Sequence, residues 1–97
     1  MVPIAPTGWD PRPRAANPDP WVDEGPQHYL QPTPEELQQL IRSAVNFTCQ
    51  YKDTAEAQTI IIYAWNECSE TSASLIPTLG NGTLYVETMS KFLPLRC

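Results

Sequence analysis

The sequence predicts an α/β fold: two strand-helix units on a parallel sheet, corresponding to about the last two βα units of a (β/α)8 barrel and not a complete autonomous domain. Three observations predict it. A near-continuous apolar run, Thr59, Ile60, Ile61, Ile62, Tyr63, Ala64 and Trp65, stops abruptly at Asn66, as strands covered on both faces do. A capped amphipathic helix stands between that run and a shorter apolar segment near the amino terminus. The chain has 97 residues, whereas a whole barrel needs about 250. Residues 1–97 therefore read as a partial domain with uncovered sheet edges, and the alternative is a small α/β protein completed by oligomerisation.

The elements follow in order. Residues 2–7 form a first short strand despite Pro3 and Pro6, ending where Gly8, Trp9, Asp10 and Pro11 punctuate the chain. Eight of the eleven prolines fall before Pro34, at positions 3, 6, 11, 13, 18, 20, 26 and 32, so residues 11–32 read as a proline-rich irregular loop on the active-site side. Loops longer than about 15 residues are uncommon in compact domains and are often functional. Trp9, Trp21 and Tyr29 need surface to cover and point to an ordered loop.

The first helix starts with Thr33 as N-cap, Pro34 at the first position and Glu36 completing a Thr-x-x-Glu capping box, and it ends near Tyr51. Leu37, Leu40, Ile41, Ala44, Val45 and Thr48 make its buried stripe, with Gln38, Gln39, Arg42 and Ser43 opposite. A strand over 59–65 follows, then a loop over 71–82 containing Pro77, Gly80 and Gly82. Thr83 caps a last helix over 84–93, whose buried side is expected from Leu84, Met89, Phe92 and Leu93, with Val86 at its flank and Pro94 beyond.

Composition excludes several functions. Six Lys and Arg against eleven Asp and Glu give a net charge of -5, and the cations are scattered singly, so neither a nucleic-acid footprint nor affinity for an anionic membrane surface is expected. The longest apolar run is far short of the roughly 20 residues that span a bilayer, and the amino terminus shows no basic segment followed by an apolar core, so no secretory signal is read in it. The compartment stays open, cytoplasmic, or secreted if a signal sequence lies upstream. Cys49, Cys68 and Cys97 have no metal spacing, and three cysteines cannot all pair within one chain. His28, the single histidine, sits in the proline-rich segment without triad or zinc partners nearby in sequence and reads as a loop residue. No metal or cofactor is expected. Two sequons, Asn46-Phe47-Thr48 and Asn81-Gly82-Thr83, suit glycan attachment in a secreted protein, but the first lies inside the predicted helix and neither establishes the compartment.

Chemistry-bearing residues cluster at the carboxyl ends of the two strands, where α/β proteins place their sites. After the first strand come Trp9, Asp10, Arg12 and Arg14; after the second come Trp65, Asn66, Glu67 and Glu70. Indole faces stack on the apolar faces of sugar rings, and carboxylate and guanidinium groups bind hydroxyls. Adjacent strand ends lie about 5 Å apart, so Asp10 and Glu67 are candidates for one cleft. Glycosidic hydrolysis pairs two carboxyl groups about 5–5.5 Å apart for retention or about 6.5–9.5 Å for inversion. Glu67 and Asp10 are thus the candidate catalytic pair, with Trp9, Arg12, Arg14, Trp65, Asn66 and Glu70 as substrate-binding candidates. In the plainer alternative, Trp9 packs, Asp10 closes a turn and Glu67 is a surface carboxylate.

The segments VPIAPTGWDPRPR at 2–14, TPEELQQLIRSAV at 33–45, IIIYAWNECSE at 60–70 and IPTLGNG at 76–82 resemble the carboxyl-terminal part of WbsX-like proteins, a family related in fold to endo-mannanase-type glycoside hydrolases. The resemblance covers most of the chain. It implies a glycan-active, glycoside-hydrolase-like (β/α)8 enzyme hydrolysing O-glycosyl bonds, with carbohydrate as partner and upstream barrel segments beside this one. It places Trp9, Asp10, Trp65, Asn66 and Glu67 at the carbohydrate site. Members often carry glycines after the acidic residue of the last loop, whereas Glu70 is followed here by Thr71, Ser72 and Ala73. The alternatives are a non-catalytic carbohydrate-binding or interaction protein and a structural α/β fragment.

Overall fold

A computed structural model describes residues 1–21, 25, 27–63, 66 and 75–97. Its largest element follows directly from local sequence. Thr33 takes an extended conformation, its hydroxyl accepts from the Glu36 amide at 3.2 Å, and the Glu36 carboxylate accepts from the Thr33 amide at 2.8 Å. With two first-turn donors satisfied and Pro34 needing none, the expected helix forms as α2 (Pro34–Gln50), with Tyr51 as its C-cap. Leu37, Ile41, Ala44 and Thr48 are buried at the predicted spacing, Val45 is partly buried, and Leu40 at the edge of the stripe stays partly exposed. The Phe47 and Tyr51 rings, one turn apart, meet at 5.0 Å between centroids.

Beyond α2 the chain turns back through Ala55, which is fully buried, and Gln58, which adopts a left-handed φ of 46°. That conformation is unfavourable for a residue with a Cβ. Its side chain compensates, donating to the Ala55 carbonyl at 2.9 Å and to the Thr48 carbonyl at 3.4 Å near the end of α2.

Two short strands, β1 (Ile4–Pro6) and β2 (Ile61–Tyr63), pair in parallel with Ile4 opposite Ile61, Ala5 opposite Ile62 and Pro6 opposite Tyr63. They are shorter than the expected 2–7 and 59–65, of which Ala64 and Trp65 lie outside the described residues. Prolines are tolerated because each strand is an edge. The inner face carries Ala5, which joins Leu37, Ile41, Leu75 and Tyr85 in the core, with Ile60 and Ile62 packed beside them. The opposite face is open: Ile4, Pro6, Ile61 and Tyr63 are exposed. The second strand, expected to be covered on both faces, is covered on one by the described residues. Among the described residues a single helical layer lies on one side of the sheet, and the molecule is a slab, 45 × 29 × 17 Å, with a radius of gyration of 15.2 Å against about 13 Å for a compact domain of this size.

Two expectations are corrected. Part of the proline-rich loop is helical: α1 (Arg12–Ala16) is a single short helix without buried residues. Pro11 and Pro13 do not oppose it, since a helix's first turn has no use for their missing amides and their fixed φ suits it. The amides of Arg14 and Ala15 both bond to the Pro11 carbonyl at 2.9 Å. The last helix, α3 (Leu84–Ser90), ends earlier than residue 93, and of its expected buried side Met89 and Phe92 pack inward while Leu84 and Leu93 do not. Tyr85 and Thr88 are buried with Met89 and Phe92 beside them, while Leu84 and Leu93 are exposed. Apolarity favoured Leu84, but Tyr85 can bury its ring and still place its hydroxyl on the Pro32 carbonyl, 2.5 Å away. Thr83 precedes the helix without a side-chain cap, its hydroxyl donating instead to Glu87 at 2.8 Å.

The termini are tied down. The amino group of Met1 donates to the Thr54 carbonyl. Cys97 forms a disulfide with Cys49 in the last turn of α2, across a sequence separation of 48; Cys68 lies outside the described residues. No helix among the described residues is long and apolar enough to cross a membrane.

Candidate functional site

The strand ends make the site. At the carboxyl end of β1, Thr7 is fully buried and its hydroxyl donates to the Tyr63 carbonyl at 3.3 Å, holding the two strand ends together. Gly8 then takes a positive φ of 138°, a conformation open chiefly to glycine, and turns the chain out of the sheet. Trp9 follows, half-buried, and its carbonyl accepts from the Tyr29 amide at 2.9 Å, which brings the far end of the proline-rich segment back over the strand end. The Tyr85 hydroxyl on Pro32 secures the same segment from below.

These contacts enclose a cleft of about 600 Å³, within the range of small-molecule sites. Trp9, Tyr29 and Tyr63 provide aromatic surface, Pro6, Leu30, Pro32 and Leu40 provide aliphatic surface, and Glu36 is the charged group among the described lining residues. One Glu36 oxygen holds the Thr33 amide. The cleft is therefore mostly apolar, with a carboxylate acceptor at its helical rim.

The sequence-predicted residues separate here. Trp9 lines the cleft; Asp10, Arg12, Arg14 and Asn66 are not among its described lining residues. Asp10 is 3% exposed and its carboxylate is fully engaged by Arg12: Oδ1 accepts from the Arg12 amide at 3.1 Å and from Nε at 2.8 Å, and Oδ2 accepts from Nη2 at 2.6 Å. This fork is the strong, geometrically matched form of ion pair. The Arg12 side-chain hydrogen bonds hold the Asp10 carboxyl well below the usual carboxylate range against the opposing effect of burial, with the Arg12 amide, its charge and that of His28 adding to them. Arg12 is shifted upward by the same hydrogen bonds. Asp10 is consequently a fixed anion at neutral pH and carries no proton to donate, while its bonds to Arg12 close the turn that starts α1. Arg14 lies half-buried in α1, and Asn66 is exposed in a bend. Trp65, Glu67 and Glu70 lie outside the described residues. No group of three metal-ligating side chains occurs among the described residues.

Tyr29, Tyr63, Leu30, Leu40 and Glu36 escaped the sequence reading of the site, Tyr29 having been read only as ordering the loop. Leu40 and Glu36 belong to the helix pattern and were spent on its stripe and its cap. Tyr63 was hidden inside an apolar run, where its odd position relative to Ile60 and Ile62, two of the inner-facing residues, was the available signal. Trp21, expected to order the loop, is instead 81% exposed. Comparison of the chain with protein-family models, with curated proteins and with solved structures finds no match.

Proposed function

We propose that the chain is a glycan-active, glycoside-hydrolase-like unit whose described part supplies a carbohydrate-binding cleft. The observation that carries this reading is the union of Trp9, Tyr29 and Tyr63 with the Glu36 carboxylate in one cleft at the carboxyl ends of parallel strands. Aromatic faces accept the C–H faces of a sugar ring, and a carboxylate at the rim accepts its hydroxyl protons. In the same reading further barrel strands lie against the open face of Ile4 and Ile61, giving the cover that parallel sheets have on both sides.

Asp10 favours binding over hydrolysis by the described residues. A retaining or inverting glycosidase needs one carboxyl group protonated and a second one ionised and free to attack or to activate water; Asp10 meets neither need, since it is buried, has both oxygens held by Arg12 and does not line the cleft. Asp10 then acts as a positioning group for the Trp9 turn, and any acid-base chemistry rests on Glu67 together with a second carboxyl group from elsewhere.

A glycan panel titrated against the chain's tryptophan fluorescence tests the reading. Saturable quenching or enhancement is expected with at least one oligosaccharide, weakened at least tenfold in Trp9→Ala and Tyr63→Ala and unchanged in Trp21→Ala, which lies outside the cleft. Absence of binding across the panel, or binding indifferent to the cleft variants, would overturn it. Unchanged turnover in Glu67→Gln, measured on an active preparation, would remove Glu67 from catalysis.

A further inference from the structure

The two sequons take no part in the cleft, and the fold treats them differently. Asn46-Phe47-Thr48 lies inside α2, where Thr48 is buried and its hydroxyl donates to the Ala44 carbonyl at 3.0 Å. Asn81-Gly82-Thr83 lies in the turn ahead of α3. Gly82 there has φ 55°, and the Thr78 and Gly82 backbones bridge across the turn. Gly82 and Thr83 are exposed, Asn81 is half-exposed, and the Thr83 hydroxyl donates to the surface carboxylate of Glu87. The acceptor amide and the hydroxyl of this triplet are thus together on the surface. A second observation is independent of the turn. The Cys49–Cys97 disulfide belongs to the oxidising compartments in which disulfides form and persist, and Asn-x-Ser/Thr glycosylation is a surface modification of secreted chains.

We propose that Asn81 is an N-glycan acceptor. In the transfer, Nδ2 of Asn81 bonds to the anomeric carbon of a lipid-pyrophosphate-linked oligosaccharide. The bond from that carbon to the pyrophosphate oxygen breaks, its electron pair leaves with the lipid pyrophosphate, and the Nδ2 proton passes to a base of the transferase. The first sugar then stands two residues from Leu79, a fully exposed leucine. Asn81 is not among the residues lining the cleft, so this modification stands or falls separately from carbohydrate binding there.

The full chain, expressed in a eukaryotic secretory host behind a cleavable leader, provides the test. Peptide mass spectrometry of the combined secreted and cell-retained chain reads occupancy at Asn81 whether or not a variant folds well. Wild type is expected to carry a glycan at Asn81 that an N-glycan-releasing amidase removes, converting Asn81 to Asp. Asn81→Gln and Thr83→Ala should abolish it, while Thr83→Ser and Asn46→Gln should retain it. An unmodified Asn81 in the wild-type chain, or modification there that survives Thr83→Ala, would overturn the proposal.

Discussion

The disulfide between Cys49 and Cys97 offers the most quantitative test of the fold. It closes a loop across a sequence separation of 48, and cross-linking a loop of that size removes unfolded-chain entropy equivalent to about 4 kcal/mol at 25 °C. The realised effect should be smaller. The segment 94–97 beyond α3 is neither helix nor strand, its Leu95 is exposed, and it borders a small crevice with Val45, Thr48 and Ile60. Once cut loose it frays and recovers part of that entropy within the folded state, so a loss of about 2–4 kcal/mol is expected for Cys97→Ser. Domains of this size are stable by only about 5–15 kcal/mol, and 1 kcal/mol shifts Tm by about 4–8 °C, so the melting temperature should fall by at least about 8 °C. Circular-dichroism melts of wild type, Cys97→Ser and Cys49→Ser, with and without reductant, measure it. Both variants should coincide with reduced wild type and be insensitive to reductant. A Cys68→Ser variant that reproduces the loss while Cys97→Ser melts like wild type would refute the pairing and the tail placement with it.

Three other outcomes follow from single contacts. Ile41→Ala and Leu37→Ala, at fully buried positions, should each cost about 2–5 kcal/mol, whereas Leu40→Ala at the exposed edge should cost less than either; urea midpoints at constant slope measure the difference. Because the folded state holds the Asp10 pKa below its unfolded value of about 3.9, the stability it contributes is present above about pH 4 and is lost as pH falls through the folded-state pKa. Asp10→Asn should therefore flatten the acid limb of a stability-pH curve below pH 4, and an unaltered limb would count against the Arg12 fork. Burial, with the nearby Glu36 charge, raises the Tyr85 pKa, so the unfolded state releases that proton first and stability should decline as pH rises past about 10; Tyr85→Phe should remove this alkaline decline and cost about 1 kcal/mol at neutral pH for the bond to Pro32.

What was legible in the sequence is local physics. The capping box at Thr33 and Glu36 and the stripe from Leu37 to Thr48 depend on residues within a few positions of one another, and α2 forms where they place it. The parallel pairing was legible too, because an apolar run ending at a polar boundary has few other uses. Long-range choices were not. Whether Leu84 or Tyr85 faces inward depends on the Pro32 carbonyl, over fifty residues away. The fate of Asp10 is a local choice that was also missed, because a carboxylate followed two residues on by a guanidinium suits either a ligand or a closed turn, and only the geometry of the fork decides. Prolines at 11 and 13 counted against a helix in composition, yet their effect depends on falling in its first turn.

Tyr63 joins two surfaces of the molecule, since it belongs both to the open sheet face with Ile4 and Ile61 and to the cleft with Trp9. An element laid on that face would meet the cleft lining at Pro6 and Tyr63, and we expect it to close the cleft further. Closure would desolvate the Glu36 rim and strengthen each hydrogen bond to it, because such bonds gain as the local dielectric falls. Affinity and cover are then linked quantities: a chain whose outer face stays bare should bind sugar weakly, and a partner that buries Ile4 and Ile61 should tighten binding by the amount that the sugar tightens the partner. If the two were measured to be independent, the cleft and the open face would be separate features, and the reading of this unit as part of a larger carbohydrate site would lose its physical basis.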